Sequence, residues 1–261
     1  MHKDLTVTIV VYNDTEAAEM AVRSIEEQTA VSVSKEIFIV DNGAAEFGEK
    51  REKFRSFLAG YEDVRYVPAG GNIGYGAANN LVLPELDSDY HAIVNPDILL
   101  REDAFSLLIA FMNAHPACGM AVPKLLDQEG NIQKAYRREL TVSDLLIRYL
   151  FPKAFKKRQE KHTMQDMDYS EPFRVPFAQG SFLLIRTPLF KELKGFDERF
   201  FLYMEDADLC RRVNQVSELL YCPDASAVHG WERGSYHNRK LFKMHLRSMF
   251  RYFCKWGWKI A

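Results

Sequence analysis

The sequence LTVTIVVY, residues 5–12, is an apolar run typical of a buried strand, and a second run, EIFIVD, follows at residues 36–41. Between them, residues 16–28 show the apolar spacing of an amphipathic helix. A strand, a helix and a second strand in this order are typical of a βαβ unit, in which the two strands are parallel. The stretch therefore predicts an α/β fold with a mostly parallel central sheet flanked by helices.

The same alternation continues through the first half of the chain. It predicts strands at residues 64–67 and 91–95 and helices at residues 46–58, 77–86 and 102–113. The second half is less regular, with a strand at 180–187, a helix at 205–213, short strands at 219–223 and 226–230, and an amphipathic helix at 239–259. Residues 145–174 carry basic clusters without clear periodicity, and we expect a partly mobile insertion there.

Length and composition favour one catalytic-sized domain. The chain has 261 residues, of which 47% are hydrophobic, and a net charge of -2. We expect no nucleic-acid partner.

The four cysteines are widely spaced, so they predict neither a zinc site nor a disulfide framework. No apolar run reaches the roughly 18 to 20 residues that span a bilayer, and the N-terminus lacks the layout of a signal peptide, so we expect a cytoplasmic protein.

In sheets of this kind, ligands bind beyond the carboxyl ends of the strands. This rule places Tyr12-Asn13, Asp41, the segment AGGNIGYG at residues 69–76 and Asn95-Pro96-Asp97 along one rim. Asp41 can accept the imide N–H of a uracil or thymine base, or it can be an ordinary cap or turn residue. The glycine-rich segment lets backbone amides approach a nucleotide, although a loop that closes onto a helix explains it equally well.

Asp97 follows a buried strand and offers the oxygen ligand that Mg²⁺ or Mn²⁺ prefers beside a diphosphate. The alternative is a turn that ends the strand, since Asn-Pro commonly begins turns. Further along, FLYMEDADLCRR places Glu205, Asp206 and Asp208 in the first turn of a predicted helix. The preceding apolar residues favour a carboxylate with a raised pKa, as a general base requires, but carboxylates here also serve as helix-dipole partners.

The segment AVHGWERGSYH contains His229 at a strand end, followed by Trp231, Arg233 and Ser235. His229 can complete a metal or phosphate site or be a hydrogen-bonded structural residue, and Arg233 can pair with a phosphate. The closing helix alternates aromatic and basic residues. Such a helix either lies on an anionic membrane or packs against the sheet with a basic outer face.

Taken in order, VTIVVYNDTEAAEMAVRSIEEQT, IFIVDNG, GGNIGYGAANN, IVNPDILL, GSFLLIRTPLFKELKGFDERFFLYMEDADLCRR and HGWERGS resemble glycosyltransferase family 2, and within it the rhamnosyltransferase-like group. The resemblance implies an inverting enzyme with the GT-A fold and a nucleotide-diphosphate sugar donor. It also implies a donor-binding half at about residues 1–123, an acceptor and catalytic half at about 124–236 with the mobile insertion 145–174, and a C-terminal basic helix at 237–261.

The resemblance also implies residue roles. Asp206 would be the general base within the Glu205-Asp206 pair, and Asp97 with His229 would hold Mg²⁺ or Mn²⁺. The nucleotide would contact Val11, Tyr12, Asn13, Asp41, Asn72, Gly74, Asn79 and Asn95, and the diphosphate or acceptor would contact Arg212, Trp231, Arg233 and Ser235. Where many relatives have two carboxylates in a D-x-D motif, this chain has Asn95 and Asp97, so Asn95 is better suited to a ribose hydroxyl than to the cation.

The first expectation for the donor is dTDP-rhamnose, with UDP-hexoses and UDP-galactofuranose as alternatives. The acceptor is expected to be a saccharide or lipid-linked saccharide of polysaccharide synthesis, with peripheral contact to the inner membrane face through residues 239–259. Two other readings are a sugar-phosphate nucleotidyltransferase and a non-catalytic carbohydrate-binding or scaffold protein. A nucleotidyltransferase requires a glycine- and arginine-rich phosphate loop near the N-terminus, and the segment VTIVVYNDTEA contains no glycine.

Overall fold

The computed structural model describes residues 1–43, 48–151, 154–230 and 239–260, and in this part of the chain nine strands form one sheet. The strands are β1 Lys3–Val11, β2 Lys35–Asp41, β3 Val64–Pro68, β4 Ser88–Val94, β5 Ile98–Leu99, β6 Cys118–Leu126, β7 Tyr136–Arg137, β8 Phe173–Arg174, β9 Phe177–Ala178, β10 Phe182–Arg186 and β11 Glu218–His229. The strand order in the sheet is β3-β2-β1-β4-β10-β6-β11-β5, with β8 paired to another part of β11, while β7 and β9 form a separate pair.

The predicted parallel sheet is confirmed for the first half of the chain. β1 pairs in parallel with β2 and β4, and β2 pairs in parallel with β3. β10 runs antiparallel between β4 and β6, and β6 is parallel to β11. Val11 is in register with Asp41, and Ile9 with Val94, so the carboxyl ends of three strands meet at one edge. Seven consecutive residues of β1 are buried, as expected for a strand covered on both faces.

The helices are α1 Thr15–Gln28, α2 Gly48–Leu58, α3 Tyr75–Asn80, α4 Ala104–Ala114, α5 Val142–Leu150, α6 Lys156–His162, α7 Thr187–Glu192, α8 Glu205–Val216 and α9 Arg239–Trp256. Among the described residues, none of the helices is both long and apolar enough to cross a membrane. α3 is shorter than the predicted helix at residues 77–86. It ends at Asn80 because Pro84 cannot donate the next helical hydrogen bond, and a short 3₁₀ turn, Leu83–Glu85, follows.

One feature of the second half differs from the sequence-based expectation. The strands predicted at residues 219–223 and 226–230 form the single strand β11, with an irregularity between Cys222 and Ser226 around Pro223. Residues 145–174 include most of α5, all of α6 and β8, and the partial mobility of this insertion stays a prediction. The ring of Tyr169 lies 5.2 Å from that of Tyr221, and the ring of Phe173 lies 4.6 Å from it, so the end of this segment packs on the sheet.

Candidate active site

Asp41 lies at the carboxyl end of β2, where three protein groups bind it. Its Oδ2 accepts a hydrogen bond from the hydroxyl of Tyr66 and forms an ion pair with Nε of Arg51 at 2.6 Å, and its Oδ1 accepts from the amide of Gly43 at 3.0 Å. Burial and Asp41 raise the pKa of Tyr66 to about 12, so the phenol stays protonated and donates. Because a carboxylate has about four acceptor positions, Oδ1 retains capacity for a base N–H. Arg51 and Tyr66 were not predicted from the sequence.

The end of β1 reaches the same place. A Cβ added at Gly43 would lie 2.7 Å from Oδ1 of Asn13 and 2.6 Å from Nη2 of Arg51, so these side chains converge around a position that requires glycine. Val11 is buried, whereas 53% of Tyr12 is exposed. Of the predicted base-binding group, Tyr12, Asn13 and Asp41 therefore surround one surface, with Val11 beneath it.

The glycine-rich segment is tied to β2 by Asn42. The Asn42 amide donates to Oδ1 of Asn72 and to the carbonyl of Gly74, each at 3.4 Å, and its own Oδ1 accepts from the amide of Ile73 at 2.9 Å. Gly74 has φ +98°, and a Cβ there would lie 2.6 Å from the carbonyl oxygen of Phe201. The loop therefore needs glycine at this position to pack against the residues that precede α8.

Asn79, which was predicted to contact the nucleotide, is fully buried. Its amide nitrogen donates to the carbonyl of Tyr75 at 3.0 Å, one turn earlier in α3. This placement corrects the prediction, because a side chain with no exposed surface supports the helix and does not meet a ligand. Asn72, by contrast, is exposed at the rim.

Asn95-Pro96-Asp97 forms a turn that joins β4 to β5, closed by the amide of Ile98 donating to the carbonyl of Asn95 at 3.1 Å. β5 pairs with β11 so that Ile98 is opposite His229. This pairing brings Nε2 of His229 to 3.4 Å from Oδ2 of Asp97. Two residues that are 132 positions apart in the sequence, by the numbering, thus share one site.

His229 is oriented by Gln133, which was not predicted from the sequence. Nδ1 of His229 lies 2.8 Å from Oε1 of Gln133, and the Gln133 amide donates to the carbonyl of His229 at 2.8 Å. An Nδ1–H donated to Gln133 directs Nε2 toward Asp97. Burial lowers the pKa of His229, against the opposing effect of Asp97, which favours the neutral imidazole that binds metals.

The donor set of Asp97 and His229 fits Mg²⁺ or Mn²⁺. Among the described residues, no group of three His, Cys, Asp or Glu side chains could hold a metal ion. One carboxylate oxygen and one imidazole nitrogen therefore leave most coordination positions to a bound diphosphate and water. Such shared coordination is typical of Mg²⁺ beside phosphates.

The carboxylates of α8 follow two residues with strained backbone. Tyr203 has φ 66° and Met204 has φ 71°, values that side-chain-bearing residues rarely adopt. Asp206 is half-buried, and its Oδ2 accepts from the amide of Gly180 at 3.1 Å, while Oδ1 accepts from the amide of Ala207 at 2.8 Å. Burial raises the pKa of Asp206 against these hydrogen bonds, as a general base near neutral pH requires.

Glu205 is 5% exposed, and among the described residues its Oε2 has no hydrogen-bond partner. Burial, and then the charge of Asp206, raise its pKa well above the ordinary value. The sequence predicts that Glu205 shares catalysis with Asp206. In the structure Glu205 is buried and its raised pKa favours the neutral carboxyl, so its part in catalysis stays a prediction.

Two further residues near Asp206 were not predicted. Burial, and then the charges of Glu205, Asp206 and Asp97, raise the pKa of Tyr75, so its hydroxyl stays protonated. Arg137 in β7 is 8% exposed, and its charge acts to lower the pKa of Asp206. Tyr75 lies inside the GGNIGYG motif and was a detectable candidate, but no sequence signal links Arg137 to α8.

Arg212 occupies a structural position in place of the predicted diphosphate or acceptor contact. Its Nε donates to Asp208 at 2.8 Å, and its two terminal nitrogens donate to the carbonyls of Leu193 and Gly195 at 2.9 and 2.8 Å. Asp208 is fully buried and also binds Lys255 and Trp256 of α9. The other three predicted contacts, Trp231, Arg233 and Ser235, lie outside the described residues.

A family model for glycosyl transferase family 2 matches residues 6–194. The chain belongs to glycosyl transferase family 2. The resemblance found in the motifs is thereby confirmed, and the protein is a glycosyltransferase. Its curated relatives include the N-acetylglucosaminyl-diphospho-decaprenol L-rhamnosyltransferase of Mycobacterium tuberculosis, 28% identical over 86% of this chain and 75% of the relative. Rhamnosyltransferase WbbL of Escherichia coli K12 is 28% identical over 75% of each chain.

Solved structures confirm the GT-A fold of this family member. A mannosyltransferase from Pyrobaculum calidifontis in complex with GDP-Man and Mn²⁺ matches 98% of this chain and 65% of its own, with a TM-score of 0.65 and 17% identity. GalNAc-T7 with UDP, GalNAc and Mn²⁺ matches 88% of this chain with the same TM-score and 17% identity. This chain spans 44% of the length of GalNAc-T7.

Proposed function

We propose that the protein is an inverting rhamnosyltransferase that moves rhamnose from dTDP-rhamnose to a hydroxyl group of a saccharide acceptor in cell-surface polysaccharide synthesis. The observation that carries the catalytic part is the position of Asp206, half-buried and held by the amide of Gly180. The choice of rhamnose is supported by the two relatives at 28% identity whose names specify rhamnosyl transfer.

Asp206 is the proposed general base. It takes the proton of the acceptor hydroxyl as that oxygen attacks the anomeric carbon, and the bond from this carbon to the diphosphate oxygen breaks on the opposite face. One displacement inverts the configuration at the anomeric carbon. The raised pKa of Asp206 increases its affinity for the transferred proton. Arg137, buried nearby, limits this rise and keeps the carboxylate ionised before the reaction.

Asp97 and His229 are proposed to hold Mg²⁺ or Mn²⁺, with Gln133 orienting the imidazole. When bound, the ion supplies positive charge beside the leaving diphosphate. The donor set supports this assignment, and two structural neighbours were solved with Mn²⁺. The nucleotide is proposed to lie along Tyr12, Asn13, Asp41, Asn72, Gly74 and Asn95, so that residues 1–123 bind the donor and residues 124–236 provide the base and the acceptor surface.

The test is a panel of nucleotide sugars with Mg²⁺ or Mn²⁺, scored by donor hydrolysis and by thermal shift. We expect dTDP-rhamnose to give the highest turnover and the largest shift. A preference for a UDP-hexose or UDP-galactofuranose would replace the proposed donor by the alternative. Absence of turnover and of any shift with all donors would favour a non-catalytic carbohydrate-binding or scaffold protein.

A lipid-linked acceptor at the inner membrane face is proposed from α9. The inner side of α9 packs on the protein, where Ser248 donates to the carbonyl of Leu202 at 2.8 Å and the ring of His245 stacks on Tyr203 at 4.6 Å. On the outer side, Phe250 is 59% exposed and Trp258 beyond the helix is 54% exposed. Exposed aromatic rings on a basic helix are suited to an anionic lipid surface.

Liposome co-sedimentation tests this part separately. We expect binding to vesicles that contain phosphatidylglycerol, weaker binding to phosphatidylcholine alone, and a loss of binding in the Phe250→Ser/Trp258→Ser variant. Leu107→Ser provides the control, because Leu107 is an exposed apolar residue of α4. Equal binding of the double variant and the control would refute the assignment of α9 as a membrane surface.

A further inference from the structure

The hydroxyl of Tyr75 lies between two acceptor positions. Its oxygen is 2.9 Å from Oδ1 of Asn95 and 3.0 Å from the carbonyl oxygen of Gly180. A phenol has one proton and can donate fully to only one oxygen. With two carbonyl oxygens facing the hydroxyl, one of them would face its lone pair, which costs free energy in a buried place.

Rotation of the Asn95 amide by 180° removes this conflict. The nitrogen and oxygen of an amide have nearly the same shape, so Nδ2 then takes the position 2.9 Å from the hydroxyl. Nδ2–H donates to the Tyr75 oxygen, and the Tyr75 O–H donates to the carbonyl of Gly180. Every group in the chain then has a partner of the opposite kind.

The backbone around these groups is fixed. The amide of Asn95 donates to the carbonyl of Ser181 at 2.8 Å, which ties the turn after β4 to the residues that precede β10. Gly180 is held on both sides, because its carbonyl accepts from Tyr75 while its amide donates to Asp206. Tyr75 therefore connects the turn that contains Asn95 and Asp97 with the residue that positions the base.

We propose that Tyr75 is a positioning residue with two effects. It turns the side-chain oxygen of Asn95 toward a hydroxyl group on the pentose ring of the donor nucleotide, and it holds Gly180 against Asp206. The assignment of Asp206 as base rests on the proposed function, whereas the hydrogen-bond chain rests on distances alone. The hydrogen-bond chain also explains why residue 95 is an asparagine where many relatives have a carboxylate. An aspartate would take the single Tyr75 proton and leave the carbonyl of Gly180 without its donor.

The kinetic test compares Tyr75→Phe, Asn95→Asp and the double variant. We expect Tyr75→Phe to lower kcat about 3- to 10-fold and to weaken binding of dTDP or UDP by a similar factor, the size of one lost hydrogen bond. Asn95→Asp should lower kcat comparably, although it restores two carboxylates. Because both changes break one chain, the double variant should be no worse than the poorer single variant. Multiplying losses, or full activity in Asn95→Asp, would overturn the proposal.

Tyr90→Phe is the matched control. The Tyr90 hydroxyl donates to Oδ1 of Asn113 at 2.6 Å, which is the same kind of contact at the opposite end of β4. We expect this variant to lose stability and to keep the wild-type kcat. If Tyr75→Phe behaves in the same way, with a lower melting temperature and unchanged kcat and nucleotide binding, Tyr75 is merely structural and the proposal fails.

A readout without turnover separates this inference from the proposed function. In the NMR spectrum of the free protein, we expect the side-chain amide protons of Asn95 to exchange slowly and to shift in Tyr75→Phe but not in Tyr90→Phe. Unshifted Asn95 amide signals in Tyr75→Phe would refute the hydrogen-bond chain. If no sugar donor is turned over by the wild type, the proposed function fails, and the amide signals still decide the inference.

Discussion

The amide of Gly180 donates a hydrogen bond to Oδ2 of Asp206 over 3.1 Å, and a Cβ at residue 180 would lie 3.1 Å from Cβ of Asp206. This contact is tighter than ordinary van der Waals distance, so a methyl group would displace the carboxylate by a few tenths of an ångström. Reaction rates fall steeply when a reacting group is misplaced. The position of the proposed base therefore depends on the absence of a side chain at residue 180.

Replacement of Gly180 by alanine should lower kcat by about 10-fold with little change in stability. The backbone at residue 180 does not require a positive φ, so alanine introduces crowding at Asp206 without backbone strain. Steady-state kinetics and thermal unfolding measure the two effects. Gly48→Ala is the control, since no heavy atom lies within 4 Å of a Cβ at that position. Equal kcat values in the two variants would contradict the prediction.

Glu205→Gln should make the protein more stable at pH 8 than the wild type. Burial raises the pKa of Glu205 above its ordinary value of 4.5, so the folded state keeps a proton that the unfolded state has lost. The free energy of unfolding therefore falls as pH rises from about 4.5 through the raised pKa. Glutamine stays neutral and avoids this loss. Urea unfolding at several pH values tests the difference, and an equal slope with pH in both proteins would refute it.

In Gln133→Ala, the affinity for Mn²⁺ during donor binding should fall by about 10- to 100-fold, the usual effect of removing the partner of a metal-binding histidine. Without Gln133, the imidazole of His229 loses the contact that directs Nε2 toward Asp97. Nucleotide binding measured at increasing Mn²⁺ concentration provides the readout. His115→Ala, which removes a histidine bonded to the carbonyl of Phe111, should leave the curve unchanged. If Gln133→Ala gives the same curve as the wild type, Gln133 does not orient His229 for metal binding.

Asp208→Ala should destabilise the protein by about 1.5 to 3 kcal/mol, because it removes a fully buried carboxylate that two partly buried cations share. Asp208 accepts from Arg212 at 2.8 Å and lies 2.6 Å from Nζ of Lys255, and it joins α8 to α9. Urea unfolding measures the loss. At temperatures where the variant is folded, its kcat should remain close to the wild-type value. A loss below about 1 kcal/mol would show that the network contributes little.

The fold was predictable because the first half of the chain follows a strict pattern. β1, β2 and β4 are apolar runs separated by amphipathic helices, and a polar residue lies at or just after the end of each at the same edge of the sheet. β6 carries a weaker local signal because Gly119 and Pro123 interrupt its apolar pattern, although the strand is buried and central. When a strand pairs with segments that are distant in the sequence, its own residues give little indication of its position in the sheet.

The candidate site was predictable where its residues lie at strand or helix ends. Asp97, Asp206 and His229 follow from such positions together with the family motifs. Gln133 and Arg137 were missed because only the tertiary fold brings them to His229 and Asp206. Arg212 was misassigned because the sequence alone does not distinguish an arginine that binds a ligand from one that binds an acidic residue of its own helix, here Asp208.

The measurement that tests the central claim most directly is the transfer rate of Asp206→Asn at saturating donor and acceptor. Asparagine keeps the shape of the side chain but cannot accept the proton of the acceptor hydroxyl, so kcat should fall by about 10²- to 10⁴-fold. The dissociation constant of the nucleotide diphosphate, measured on the same protein sample, should stay within about 2-fold of the wild-type value. Near-normal transfer by Asp206→Asn would show that Asp206 is not the base.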